Sequence, residues 1–119
     1  MSLSKKQILA AQDLKAESVD VPEWSGSVRL RLLTAGESAE YLNAIRQLTA
    51  GGEIRDFRSL KEKLVALVLV DEGGARLFPE PEDVAHLVGK SAAAIDRLWK
   101  AAMHMNGMDK EAAEQIEGN

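Results

Sequence analysis

The run Leu64-Val65-Ala66-Leu67-Val68-Leu69-Val70 is the longest apolar stretch of the chain, and it constrains the fold more than any other segment. Together with Phe57 and Leu60 before it, Leu64, Leu67 and Val68 recur at a period near 3.6, while Arg58, Lys61, Glu62 and Lys63 fall on the opposite side. Val65 and Leu69 widen the stripe. A helix apolar over so broad an arc belongs at the centre of a domain, with other elements around it. The run is far too short to span a bilayer. Only 4% of residues are aromatic, so the core is expected to be aliphatic, which favours helix-on-helix packing over a large sheet.

The elements around this helix have their own signals. Ser4 and Gln7 have capping-box spacing, and Ile8, Ala11 and Leu14 follow at helical intervals, which predicts a first helix over Lys5 to Leu14. Val19 to Trp24 and Ser27 to Leu32 each alternate apolar and polar residues about Ser25-Gly26. This pattern predicts a β-hairpin with Val28, Leu30 and Leu32 on one face and Arg29 and Arg31 on the other. Pro22 makes the first strand an edge. Thr34 and Glu37 form a second capping box, opening a helix to about Leu48 with Tyr41, Leu42, Ile45 and Leu48 as its stripe. Thr49 to Glu53 is expected to be a flexible loop, and Asp56 the N-cap of the central helix.

Asp71-Glu72-Gly73-Gly74 stops that helix. Ala75 to Phe78 reads as a short extended piece, and Pro81 starts a helix through Val88. After the break at Gly89-Lys90-Ser91, Ser91 caps a helix through Met105 or Asn106, closed by Gly107. Asp109 to Glu117 reads as a frayed polar helix. The expected fold is therefore α+β: one mainly helical domain over residues 1–119, with four or five helices, an N-terminal β-hairpin, and fraying at residues 1–4 and 109–119.

Composition and motif spacing exclude several chemistries. The absence of cysteine removes disulfides, thiolate zinc sites and a Cys nucleophile. A formal charge of −4 predicts no net attraction to nucleic acid or anionic lipid, and no signal peptide is expected in the N-terminal residues. Gly89-Lys90-Ser91 ends like a phosphate-binding loop, but Val84 stands where that motif needs its first glycine. His86 and His104 lie on separate helices without partners at metal-ligand spacing. Glu80-Pro81-Glu82-Asp83 lacks the alternating oxygens and central glycine of a calcium loop and suits a helix N-terminus. No catalytic, cofactor-binding or metal-ligating residue is assigned, and no cofactor is expected.

Pro81 to Lys100 has the rhythm of a helix-turn-helix, with Ala85, Gly89 and Ile95 at the packing, turn and anchor positions. A DNA reader places donors and acceptors at the start of its second helix, whereas this chain has Ala92-Ala93-Ala94 there. Only Lys90, Arg97 and Lys100 are available to phosphates.

The order of these segments resembles the tail assembly chaperones of long-tailed, lambda-like bacteriophages (siphoviruses). The stretches that carry the resemblance over nearly the whole chain begin with Ile8-Leu9-Ala10-Ala11-Gln12-Asp13-Leu14 and Val19-Asp20-Val21-Pro22-Glu23-Trp24. They continue through Leu64 to Glu72, Arg76-Leu77-Phe78, Lys90 to Leu98 and Met105-Asn106-Gly107-Met108. The resemblance implies a non-enzymatic factor of the host bacterial cytoplasm, absent from the mature virion. Such a factor binds the tape measure protein, keeps it soluble and promotes tail tube polymerisation around it. It further implies that this is a short, non-frameshifted form, the tail tube protein being met through a longer frameshifted product. Neither nucleic acid nor membrane is an expected partner. Self-association is expected, because many copies would coat one tape measure. Partner contact is expected at Trp24, Trp99, Met103, Met105 and Met108, an adaptable Met-rich surface, although Trp99 and Met103 equally suit the core. A helix-turn-helix regulator and a structural head–tail connector are the alternatives.

Overall fold

The computed structural model describes residues 2–49 and 59–108. In chain order these form α1 (Lys5–Ala10), β1 (Ala16–Val21), a 3₁₀ turn (Pro22–Trp24), β2 (Gly26–Arg31) and α2 (Ala35–Thr49). They are followed by α3 (Leu60–Val68), β3 (Leu69–Val70), α4 (Asp83–Val88) and α5 (Ala92–Met105). The architecture is α+β, with five helices and a three-stranded antiparallel sheet of order β1-β2-β3 among the described residues. The side chain of Leu48, the expected loop at 50–53, the Asp56 cap, Phe57, Arg58 and the tail from Asp109 lie outside the described residues.

The central helix is where the apolar period puts it. Leu64, Val65 and Val68 are completely buried, and α3 packs against α4 and α5. The helix stops earlier than expected: Leu69 adopts an extended conformation (φ −69°, ψ 120°), and Leu69 and Val70 pair with Leu30 and Arg29 of β2. Both residues are buried whether helical or extended, so periodicity alone could not place the boundary. Asp71 then turns the chain. Its Oδ1 accepts from the amides of Gly73 (2.8 Å) and Ala75 (3.0 Å), and Gly74 takes the left-handed backbone (φ +90°) that a glycine tolerates. The expected extended piece returns onto β3, through the bridge of Val70 with Arg76 and the Leu77 amide on the Leu69 carbonyl. The Arg76 guanidinium donates to the carbonyls of Ala66 and Phe78, placing a cation at the C-terminal end of α3.

The hairpin is shifted from its expected register. β1 begins at Ala16, and Pro22-Glu23-Trp24 leaves the strand as the 3₁₀ turn, so Val21 pairs with Gly26 and Val19 with Val28. Proline pre-sets the tight turn and lacks the amide a longer strand would need. β1 is an edge strand of the sheet. Arg29 faces solvent, but Arg31 is only 8% exposed, contrary to the expected polar face. The reason is α2: its first-turn Glu37 closes on Arg31 as a bidentate pair (2.9 and 3.0 Å). Glu37 also accepts from the Thr34 amide, while the Glu37 amide donates to Thr34 Oγ1, completing the capping box.

α5 ends in a full Schellman motif: the Gly107 amide donates to the His104 carbonyl, the Met108 amide to the Met103 carbonyl, and Gly107 has φ +67°. Asn106 extends the lock by accepting from the Leu33 amide (2.9 Å).

Two outcomes are expected of the ion pair and the core. The Arg31 guanidinium, with the Thr34 amide, holds the Glu37 carboxyl at about 2, down from 4.5, so the pair's contribution is complete above pH 4.5 and is lost as pH falls towards 2. Glu37→Gln should destabilise the domain by about 1–3 kcal/mol at neutral pH and flatten the acid-side slope of the melting temperature. Leu64→Ala should cost about 2–5 kcal/mol by urea unfolding.

Candidate protein-binding surface

The five expected contact residues are distributed between surface and core. Trp24, set by the 3₁₀ turn, is half-buried against the core with the Lys90 Nζ 5.9 Å from its ring centroid. Beside it, Glu23 receives Nε and Nη2 of Arg97 (3.3 and 3.1 Å), which joins the hairpin turn to α5 and holds the Glu23 carboxyl below its ordinary range. Trp99 is also half-buried. Its Nε1 donates to the Tyr41 hydroxyl (3.0 Å), which donates to the Leu60 carbonyl (2.9 Å). Burial pushes the Tyr41 phenol far above its usual value, so it remains a proton donor at any physiological pH. Lys61 covers the exposed side of Trp99 at 4.8 Å from the centroid and reaches Asp96 (2.6 Å).

Met103 and Met108 are core residues, 2% and 3% exposed, while Met105 is half-buried. The Schellman motif is the cause, because it folds Met108 back over α5 towards Met103. Gly107-Met108 was the sequence signal for this, a glycine followed by an apolar residue at a helix end. Of the five, Trp24, Trp99 and Met105 keep partly exposed side chains.

The helix-turn-helix rhythm is present as α4 and α5, with Gly89 capping the first and Ile95 buried in the second, but Ala85 is exposed instead of packed. Ala92 and Ala93 are exposed and Ala94 is buried. Lys90 lies over Trp24, Arg97 holds Glu23 and Lys100 holds Asp96 (3.0 Å), so the three cations meet intramolecular partners. Nδ1 of the exposed His86 lies 3.1 Å from Asp83. Among the described residues no group of three or more His, Asp or Glu side chains is placed to hold a metal ion, and no helix is long and apolar enough to cross a membrane.

A further surface went unrecognised in the sequence. Residues 2–15 are all exposed, and α1 buries none of its side chains. The helix is nevertheless well formed: the Gln7 amide donates to Ser4 Oγ and the Ser4 amide to Gln7 Oε1. Leu3 and Ile8 occupy the positions of a hydrophobic staple. The helix ends at Ala10, with Ala11 extended, so the stripe expected through Leu14 is cut short. Leu3, Ile8, Leu9 and Leu14 remain 66%, 57%, 74% and 42% exposed. Covering these four side chains would release roughly 4–7 kcal/mol, enough to drive association but not to make it tight once ordering costs are met.

No protein-family profile matches the chain, and no curated protein matches it in sequence. Its fold is shared with the tail assembly chaperone of bacteriophage HK97. The two superpose with a TM-score of 0.56 over 83% of this chain and 89% of that one, at 20% identity.

Substitutions should separate core from surface. Met103→Ala should cost about 2–5 kcal/mol and Trp99→Phe about 1 kcal/mol in urea unfolding. Leu9→Ser should change stability by less than about 0.5 kcal/mol, since it removes no intramolecular packing.

Proposed function

We propose that this chain is a non-enzymatic phage tail assembly chaperone, which binds the tape measure protein, keeps it soluble and promotes tail tube polymerisation around it. The observation that carries the reading is an apolar N-terminal arm held outside a stable domain, on a fold shared with a tail assembly chaperone. A chaperone for a long amphipathic chain has to present apolar surface without spending its own core to do so. This chain does so by segregation: the arm is exposed while the domain beneath it is capped, paired and packed. Trp24, Trp99 and Met105 are the proposed contacts for the tape measure on the domain itself, each combining apolar surface with an anchored position. Copies associate with one another along the same tape measure. The protein acts in the host cytoplasm and leaves before the virion is complete. The tail tube protein is met through a longer, frameshifted product of the same gene.

Co-expression with the tape measure protein from the same genome neighbourhood tests this. The expected result is a soluble complex on size exclusion with several copies of this chain per tape measure. A tape measure that stays insoluble while this chain elutes alone would refute the reading, and salt-sensitive DNA binding would be the next measurement.

A further inference from the structure

The sheet leaves one edge open at β1, and the register shows which backbone groups lie along it. In an antiparallel pair, residues alternate between those that exchange hydrogen bonds with the neighbouring strand and those that point away from it. The Leu32 amide donates to the Lys15 carbonyl (2.9 Å), and Lys15 lies one step before the pair of Ala16 with Arg31. Glu17, Val19 and Val21 therefore bond to β2, while the amides and carbonyls of Ala16, Ser18 and Asp20 point outward. The far side of β2 agrees. Leu69 accepts from the Leu77 amide on the side away from β2, which leaves Val70 to bond Arg29, the residue opposite Ser18. Among the described residues no hydrogen bond reaches the outward groups of Ala16, Ser18 and Asp20.

An open edge of this kind is normally blunted by proline, lysine or a bulge. β1 has none of these, and its six residues run in unbroken register with β2. Its charged residues are Glu17 and Asp20, both exposed, and neither carboxylate has a partner among the described residues. Glu17 shares a face with Val19 and Val21, and Asp20 lies on the other face with Ser18. Two unpaired carboxylates thus flank one row of free donors and acceptors. A second β1 laid along it would bring four carboxylates together with no cation inside either strand. An extended segment bearing lysine or arginine meets the needs of both backbone and carboxylates.

We propose that β1 is a strand-addition site for an extended, basic segment of a partner protein, which pairs with the backbone of Ala16, Ser18 and Asp20 and sets cations against Glu17 and Asp20. An antiparallel segment reads cation, apolar, small polar, cation from its place opposite Asp20 to its place opposite Glu17, with the apolar residue beside Val19. The surface uses none of the side chains assigned to the tape measure, so either contact stands or falls without the other.

The test is nuclear magnetic resonance on the full-length protein, titrated with a cyclic β-hairpin peptide whose docking strand reads lysine, valine, threonine, lysine. In the free protein the amides of Ala16, Ser18 and Asp20 should exchange with solvent quickly, and those of Glu17, Val19 and Val21 slowly. The peptide should shift the resonances of β1 above all and slow exchange at Ala16, Ser18 and Asp20. The same peptide with its docking amides N-methylated should not bind, since it lacks the donors. Replacing its lysines with glutamate should weaken binding roughly three- to ten-fold at low salt. Glu17→Lys combined with Asp20→Lys should reverse that preference while leaving circular dichroism unchanged, because both positions are exposed. No binding at millimolar peptide, equal binding of the N-methylated peptide, or shifts centred away from β1 would each overturn the proposal. So would slow exchange at Ala16, Ser18 and Asp20 in the free protein, or a doubly substituted chain that still prefers the lysine peptide.

Discussion

The fold depends on seven residues that serve two secondary structures in succession. Leu64 to Val68 turn their side chains into the middle of the helical layer, and Leu69 and Val70 continue straight into the sheet. No loop separates the two roles, so the position of α3 and the register of β3 on β2 are set together. The hairpin is thereby fastened to the helices by covalent chain as well as by packing. A slip of one residue in β3 would move Leu69 off Leu30 and rotate α3 within the core. The cation of Arg76 on the Ala66 carbonyl reinforces the junction, where a helix end would otherwise leave buried carbonyls without donors.

Around that junction the remaining elements are tied by polar contacts at their ends. Arg31 with Glu37 joins sheet to α2, Tyr41 with Trp99 joins α2 to α5, Glu23 with Arg97 joins the hairpin turn to α5, and Asn106 joins the end of α5 to the start of α2. These links are short and specific, and several are partly shielded from water, where a charged or hydrogen-bonded pair gains strength. They account for how a core with few aromatic residues fixes the orientation of its helices, since aliphatic side chains alone pack in many near-equivalent ways.

The features legible in the sequence were those governed by local rules. Capping at Ser4, Thr34 and Ser91, the closure at Gly107 and the apolar stripe of α3 all follow from near neighbours in the chain. What escaped was decided by partners distant in sequence or by alternatives of equal local quality. Arg31 looked like a solvent-facing residue until α2 closed over it. Leu69 and Val70 suit a helix and a strand equally, and only β2 decides between them. Met108 looked like surface because its return depends on a left-handed glycine whose effect lies beyond the helix it ends, whereas Met103 already suited the core. The first helix was foreseen but its exposure was not, since periodicity reports that a face is apolar and not whether anything is there to cover it.

The separation of the arm from the domain also bears on how such a protein changes over generations. A core residue such as Leu98 is filtered by every neighbour it touches, so its substitutions are few. Residues 2–15 stay exposed, and packing among the described residues filters their side chains far less. Their specificity can be rewritten one residue at a time without passing through unfolded intermediates. The fold can thus persist while its recognition drifts, so that proteins with the same architecture come to serve different assemblies.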